Sequence, residues 1–425
     1  MTGLGRAAHL SEVDYIALAI PAFFALMGLE WLVARWRGMS VYRFSDWVAN
    51  LGCGIAQQTF KVALALFTFL AYRFLYENHR WLELDVANPW VWVLGFVGID
   101  LAYYWFHRLS HEINFLWAAH VVHHQSEEYN LGVALRQSTL QGAFSWPFYL
   151  PLALIGLPPV VFGPMISVNL LYQFLIHTRL VGRLGPLEWV LNTPSHHRVH
   201  HGQNPQYIDR NHGGTLIVWD RLFGTFEPEG ERVIYGVTEP PGSWNPVFAN
   251  VHHWILSWRR MRLARNPMDK LRVWIRRPGF VPEGVPEFGK RQDPTEVYDP
   301  PVGPAVRVYA AVQLLGLAGA TTAYLFVRAQ VDPAPLVAWG ASIIASAGSL
   351  GGLLDGARWA RTTEVLRPFA VVAVFAGLMP DRLLAPGPGL ALVSLAAASA
   401  LWSAWAVRVD RGDSLSPGPV EPLHE

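Results

Sequence analysis

The chain is poor in cysteine, in lysine and in charge of either sign. Cys53 is the single cysteine in 425 residues. That excludes a disulfide framework, a cysteine-rich zinc module and a cysteine-ligated iron–sulfur cluster within one chain. Charged residues make up 15% of the sequence, against roughly 25% in an ordinary soluble domain. With 52% hydrophobic residues and a mean hydropathy of +0.22, the deficit of charge points to a bilayer. Of the 33 basic residues only Lys61, Lys270 and Lys290 are lysine. Together with abundant Ala, Gly and Trp, this bias suggests a high-GC bacterial genome. The net charge of +1 gives no reason to expect a nucleic-acid partner, and none is expected. No cleavable signal peptide is expected either, because the first apolar stretch runs into Arg35 and Arg37 without a small-residue cleavage pattern.

Long apolar runs are plentiful. A helix needs about 20 mainly apolar residues to cross a bilayer, and the stretches 13–33, 48–75 and 90–106 meet that need. The apolar region 144–176 is broken by five prolines, which predicts a helical hairpin or two short helices that dip in and return. Residues 177–301 are polar and rich in Arg, Pro, Asp and Gly, with no span. Four further stretches follow at 306–327, 336–354, 366–378 and 390–407, the third of them short. The expected fold class is therefore all-α, a polytopic helical membrane protein. Residues 1–300 form a catalytic domain, 301–411 form C-terminal transmembrane helices, and 412–425 form a disordered tail. Arginines 35, 37, 43, 358, 361, 367, 408 and 411 flank the spans. If all of them face the cytoplasm, the histidine-rich segments reach the cytoplasmic side of a multi-pass protein, expected in a bacterial inner membrane.

Histidine is the residue present in excess. Eleven of the 16 lie between His107 and His212. His107 and His111 are four apart, so on a helix both imidazoles face one metal. His120, His123 and His124 read as one helical stripe that can bridge toward two metals or clamp one. The same H-x-x-H-H pattern returns 77 residues later as His197, His200 and His201. His177, at the mouth of the hairpin, reads equally as a ligand or a core histidine. A structural zinc takes about four ligands, so eight or nine histidines imply two metals. Neutral imidazole suits zinc, copper, iron and nickel, and iron is the natural choice for attack on an unactivated C–H bond. The paired Glu-x-x-His motifs of soluble di-iron bundles are missing.

In this order the boxes resemble the fatty acid hydroxylase and sterol desaturase superfamily, and within it the alkylglycerol monooxygenase branch. The phrases HRLSHEINFLWAAHVVHHQSEEYNL (107–131), NTPSHHRVHHGQN (192–204) and IDRNHGGTLIVWDRLFGTFEPE (208–229) carry that likeness, which extends over roughly residues 40–245. The resemblance implies two iron ions held by His107, His111, His120, His123, His124, His197, His200 and His201, with His177 added from the phrase QFLIHT. It implies a lipid substrate drawn from the membrane, O2 and an electron donor, which in that branch is tetrahydrobiopterin. The implied reaction hydroxylates the carbon beside the ether oxygen of an alkylglycerol, and the hemiacetal collapses to fatty aldehyde and glycerol. A related hydroxylase or desaturase of fatty acids, sterols or carotenoids, fed by a protein electron donor, remains open. So does a non-enzymatic metal carrier.

Two carboxylates join the candidate catalytic set. Glu112 matches a family glutamate and either hydrogen-bonds a ligand imidazole or is a solvated helix residue. Asp100 lies inside an apolar stretch, where a charge is expensive, and is expected to support a ligand. His196 reads as a flanking residue. His212 stands where the family commonly has tyrosine and reads as pocket-lining or structural. Asp209, Arg210, Asn211, Trp219 and Asp220 either line the polar end of a substrate or pterin site or cap the metals. His252 and His253, beside Trp254, Trp258, Arg259 and Arg260, are assigned to an interfacial helix and not to the metal site.

Overall fold

The computed structural model describes residues 15–378 and 386–413. It contains helices and no strands among the described residues, the only β pairing being two isolated bridges, Leu191 with Leu216 and Gly202 with Tyr235. The chain divides into two compact units. The first comprises residues 1–241 and 249–297; the second comprises 242–248 and 298–425. Beyond Asp413, the tail expected after residue 411 lies outside the described residues.

The first unit opens with α1 (Tyr15–Trp36) and the long α2 (Phe44–His79). Helix α3 (Pro89–Glu112) is well bounded: Pro89 sits in its first turn, and the Asn88 side chain accepts from Trp90 N. Its buried stripe runs through Gly95, Ile99, Asp100, Tyr103, Tyr104, His107 and His111, so the helical period that buries the apolar face also carries both histidines inward. The proline-broken region folds as two helices, α4 (Leu150–Ile155) and α5 (Pro159–Leu175). They are joined at Gly156, whose φ of 112° requires glycine and whose Cβ position lies against the Leu82 carbonyl. Helix α5 packs on α3, and Val91, Ile99, Tyr149, Leu157 and Val161 form the core between these elements. The polar segment holds α6 (Pro194–His200), α7 (Val218–Phe223), α8 (Pro246–Leu263) and α9 (Pro267–Ile275). Shorter helical turns are left unnumbered.

The second unit is built on α10 (Pro304–Val327), α11 (Pro333–Leu354), α12 (Arg358–Leu378) and α13 (Pro386–Asp413). Its interior buries Glu364, which accepts from Tyr309 and pairs with Arg367 at 2.7 Å. Among the described residues, four helices are long and apolar enough to cross a membrane: 16–36, 304–330, 333–354 and 389–410. They become five if the bent helix 44–79 counts as one span. The stretch 90–106 forms a helix but falls outside this set, because its buried polar face lowers its apolar character.

Candidate metal centre

All nine histidines singled out from the sequence converge, in two adjacent groups. His107, His111, His120, His124 and His200 form one, and His123, His177, His197 and His201 the other. Within each group the donor nitrogens lie within 4.8 Å of one another. No ring is more than 6% exposed. The two H-x-x-H-H boxes divide in opposite senses. In the first, His120 and His124 enter the five-histidine group and His123 the other. In the second, His197 and His201 enter the four-histidine group and His200 crosses back. Of the two readings for residues 120–124, a clamp on one position or a bridge between two, the grouping fits the bridge, though not as a single helical stripe. The segment Val121–His124 is a 3-10 turn, which sends His123 to the opposite side from His124. Each box thus ties both positions together.

The donor geometry fits a metal. The Nε2 atoms of His107, His111, His200 and His201 are buried without a hydrogen-bond partner, an arrangement too costly to leave empty four times over. Other Nε2 atoms face one another at 3.2 Å (His120 and His124), 3.2 Å (His123 and His177) and 3.0 Å (His177 and His197). Two imidazoles at right angles on one ion, with bonds of about 2.1 Å, stand about 3.0 Å apart. Five of the opposite nitrogens are anchored. Nδ1 of His107 bonds the His212 carbonyl at 2.8 Å, His120 the Gln141 side chain at 3.0 Å, and His123 the Arg136 carbonyl at 3.0 Å. His177 bonds the Gln173 carbonyl at 2.6 Å and His200 the Arg210 carbonyl at 2.9 Å. Each of these bonds places the proton on Nδ1 and leaves the Nε2 lone pair free to donate, the usual outer device of metal histidines.

Burial disfavours the charged form of every ring in the cluster. It lowers His120 and His177 to about 4 and His200 to about 3, from an ordinary value of 6.5. The rings are therefore neutral and ready to bind at neutral pH. In the unfolded chain the same rings titrate near 6.5, so it binds more protons than the folded chain below that pH. The metal-free protein is accordingly expected to lose thermal stability steeply as the pH falls from about 6.5 to about 4. A melting temperature that stays flat across that window would contradict the buried, neutral cluster.

The remaining candidates sort by what they touch. Asp100 is fully buried and accepts from Asn169 Nδ2 (2.5 Å), Thr215 N (2.7 Å), Leu216 N (3.0 Å) and Trp219 Nε1 (2.9 Å). It bonds no imidazole and holds the loop after residue 212. Asp220 holds the other side of that loop, accepting from His212 N and Gly213 N at 2.7 Å and from Thr225 at 2.6 Å. The loop's His212 carbonyl in turn supports His107. Asp209 and Asn211 adopt left-handed backbone angles, φ 57° and 54°, which shape the turn presenting the Arg210 and His212 carbonyls. Asn211 secures it by donating to the carbonyls of His196 (3.1 Å) and Glu227 (2.7 Å). Trp219, Asp220 and Asn211 thus brace the loop whose carbonyls hold His107 and His200.

Glu112 does not reach an imidazole. Its carboxylate pairs with Arg108 at 3.2 Å and faces Arg277 at 3.6 Å. One residue beyond His111, it is turned about 100° around the helix, toward the arginine one turn earlier. His196 lies outside both groups, with Nε2 4.0 Å from Glu188. His253 bonds Asn114 at 2.7 Å, and neither it nor His252 joins a group. Arg260, expected at headgroup level, is instead buried and paired with Glu239.

Several supporting groups were not anticipated. Gln141, Arg136 and Gln173 anchor three ligands, and nothing in their spacing marks them. Glu30, buried in α1, accepts from Thr178 (2.5 Å) and Leu131 N (2.8 Å), beside His177 in sequence and at the helical turn after the first box. An acid inside an apolar span was its one available signal.

Comparison with known proteins agrees with this centre. The fatty acid hydroxylase family model matches residues 92–225, which include all nine histidines. The chain is 40% identical over 363 residues to an alkylglycerol monooxygenase of Xenopus tropicalis, covering 83% of this chain and 80% of that one. It is 40% identical over 367 residues to the alkylglycerol monooxygenase of Homo sapiens, covering 84% and 82%. An ornithine lipid hydroxylase of Rhizobium tropici is 30% identical over 240 residues, covering 54% and 70%. No solved structure matches the chain at a significant level. The extent of identity and the shared coverage place it plainly: the chain belongs to the alkylglycerol monooxygenase family of the fatty acid hydroxylase superfamily.

Proposed function

We propose that the protein is a di-iron monooxygenase that cleaves the ether bond of alkylglycerol-type lipids. The observation that carries this reading is the pair of buried histidine groups with Nε2 donors turned inward, in a chain 40% identical to alkylglycerol monooxygenases. His107, His111, His120, His124 and His200 would hold one iron, and His123, His177, His197 and His201 the other. The bound irons supply dioxygen activation, which no side chain provides by itself.

In the balanced reaction, one oxygen atom enters the C–H bond beside the ether oxygen. The other leaves as water, taking two electrons and two protons from the donor. The resulting hemiacetal collapses to aldehyde and glycerol. The chain's own part is positional. The Nδ1 bonds fix five of the nine rings, burial excludes water, and Asp100 acts through the 212–216 loop as a positioning residue. Glu112, paired with Arg108, is placed to hold the C-terminal end of α3 beside the site. Tetrahydrobiopterin is the electron donor that family membership suggests.

Residues 1–300 would carry the oxygenase, with the helices of 301–411 as further membrane spans. The arginines flanking the spans favour a cytoplasmic active site, in a bacterial inner membrane. A second reading, hydroxylation of an acyl chain, sterol or carotenoid with a protein electron donor, draws support from the likeness to the ornithine lipid hydroxylase.

The test is metal and product analysis on detergent-purified protein given an alkylglycerol, O2 and tetrahydrobiopterin. Two irons per chain with release of fatty aldehyde is the expected result. Iron without aldehyde would move the substrate to the second reading, and failure to bind two metals after reconstitution would remove the di-iron centre.

A further inference from the structure

His212 is an imidazole packed against the centre that neither group uses. It is 0% exposed, and neither of its ring nitrogens has a hydrogen-bond partner among the described residues. The Asp209 carbonyl approaches the ring as a weak acceptor, outside good hydrogen-bond geometry. A fully buried imidazole with at least one nitrogen unsatisfied is costly and calls for a further partner.

Its position says where that partner sits. The ring lies 5.1 Å from His111, 5.6 Å from His200 and 5.7 Å from His107, centroid to centroid. It therefore covers one face of the five-histidine group, although its nitrogens fall outside the donor cluster itself. Its backbone N–H is held by Asp220 and its carbonyl by His107 Nδ1, so the point from which the ring projects is fixed at both ends. A metal held by these five histidines would have room for one further small ligand, on the face that His212 covers.

We propose that His212 is a hydrogen-bond donor to a small anionic or oxygen ligand taken up at the open position of the five-histidine metal. The ring acts on the ligand without coordinating the metal. A neutral imidazole always carries one N–H and one lone pair, so it can donate to such a ligand while staying outside the coordination shell. In a buried site a bond to a charged acceptor is worth more than one in water. The assignment rests on the metal-centre reading but not on the lipid substrate.

Azide titration of the iron-loaded, detergent-purified protein tests it, followed by optical absorption alongside metal analysis. His212→Leu is expected to keep its full metal content and to weaken azide binding about 10- to 100-fold. His212→Gln, which retains an N–H donor, should recover most of that loss. His196→Phe, a buried histidine outside both groups, should leave azide affinity unchanged. In the wild type the azide stretching band is expected to shift in D2O, a signature that needs no variant and holds even if the leucine protein does not fold.

Unchanged azide affinity in His212→Leu, or no isotope shift in the wild type, would overturn the proposal. So would loss of metal from His212→Leu, which would make the ring a ligand. Wild-type protein that binds no iron would instead count against the metal centre as a whole.

Discussion

Replacing His200 with alanine is expected to abolish turnover and to empty the five-histidine position while leaving the protein inserted in the membrane. His200 is the only member of that group supplied by α6; the other four come from α3 and the segment that follows it. Its ring lies 4.3 Å from His107 and 4.8 Å from both His111 and His124, centroid to centroid. Nδ1 is already committed to the Arg210 carbonyl at 2.9 Å, so only Nε2 remains to donate. Alanine removes that donor and leaves four rings around a void, which His107 and His120 cannot move to close because their own Nδ1 bonds fix them. His200 lies in the short α6 and in none of the apolar spans, so insertion should persist. His123→Ala should do the same to the four-histidine position. His252→Ala is the comparison, a buried histidine outside both groups that should retain most activity. Turnover and metal content measured together decide the matter. Retained turnover in His200→Ala would remove that residue from the ligand set.

The histidines were legible because their chemistry is carried by residue type and spacing. A four-residue interval on a helix survives folding unchanged, so His107 and His111 meet as their positions require. The 120–124 box was only half legible. Its composition marks it as ligating, but the 3-10 turn that parts His123 from His124 depends on the chain around Arg136, whose guanidinium donates to the Val122 carbonyl at 2.8 Å. The anchoring groups were illegible for a related reason. Four of the five Nδ1 acceptors are the carbonyls of Arg136, Gln173, Arg210 and His212, and any residue type offers a carbonyl. Asp100 was visible as an anomaly in an apolar run, but not its route of action. That route crosses 115 residues of sequence to Thr215 and exists only once α3, α5 and the 212–219 loop have packed. For Glu112 the sequence left two readings open, an imidazole partner or a solvated helix residue, and one step around the helix turns its carboxylate from His111 to Arg108.

Asp100→Ala should therefore be the most damaging change outside the ligand set, in stability and in metal binding alike. The carboxylate satisfies four donors at once, the side chains of Asn169 and Trp219 and the backbone N–H groups of Thr215 and Leu216. All of them lose their acceptor when it is removed, in a place no water reaches easily. Each unmade buried bond costs about 1–3 kcal/mol, and because they share one centre the costs do not simply add. A total of about 3–5 kcal/mol is expected, which for a unit of this size lowers Tm by roughly 10 °C. The second effect runs through the loop. Asp220 still holds His212 N and Gly213 N, but the far end at residues 215–216 is released, so the His212 carbonyl no longer has a fixed place from which to hold His107 Nδ1. Loss of such an outer bond typically weakens metal binding or activity about 10- to 100-fold. Asp100→Asn should fall between the variant and the native protein, since one amide oxygen can still accept while its N–H₂ must face the donors of the loop. Thermal unfolding and iron affinity, measured on the same preparations, separate the two effects. If Asp100→Ala lowers Tm but binds iron as tightly as the native protein, the loop does not support His107 and Asp100 is a packing residue alone. If neither changes, the buried carboxylate has been assigned the wrong partners.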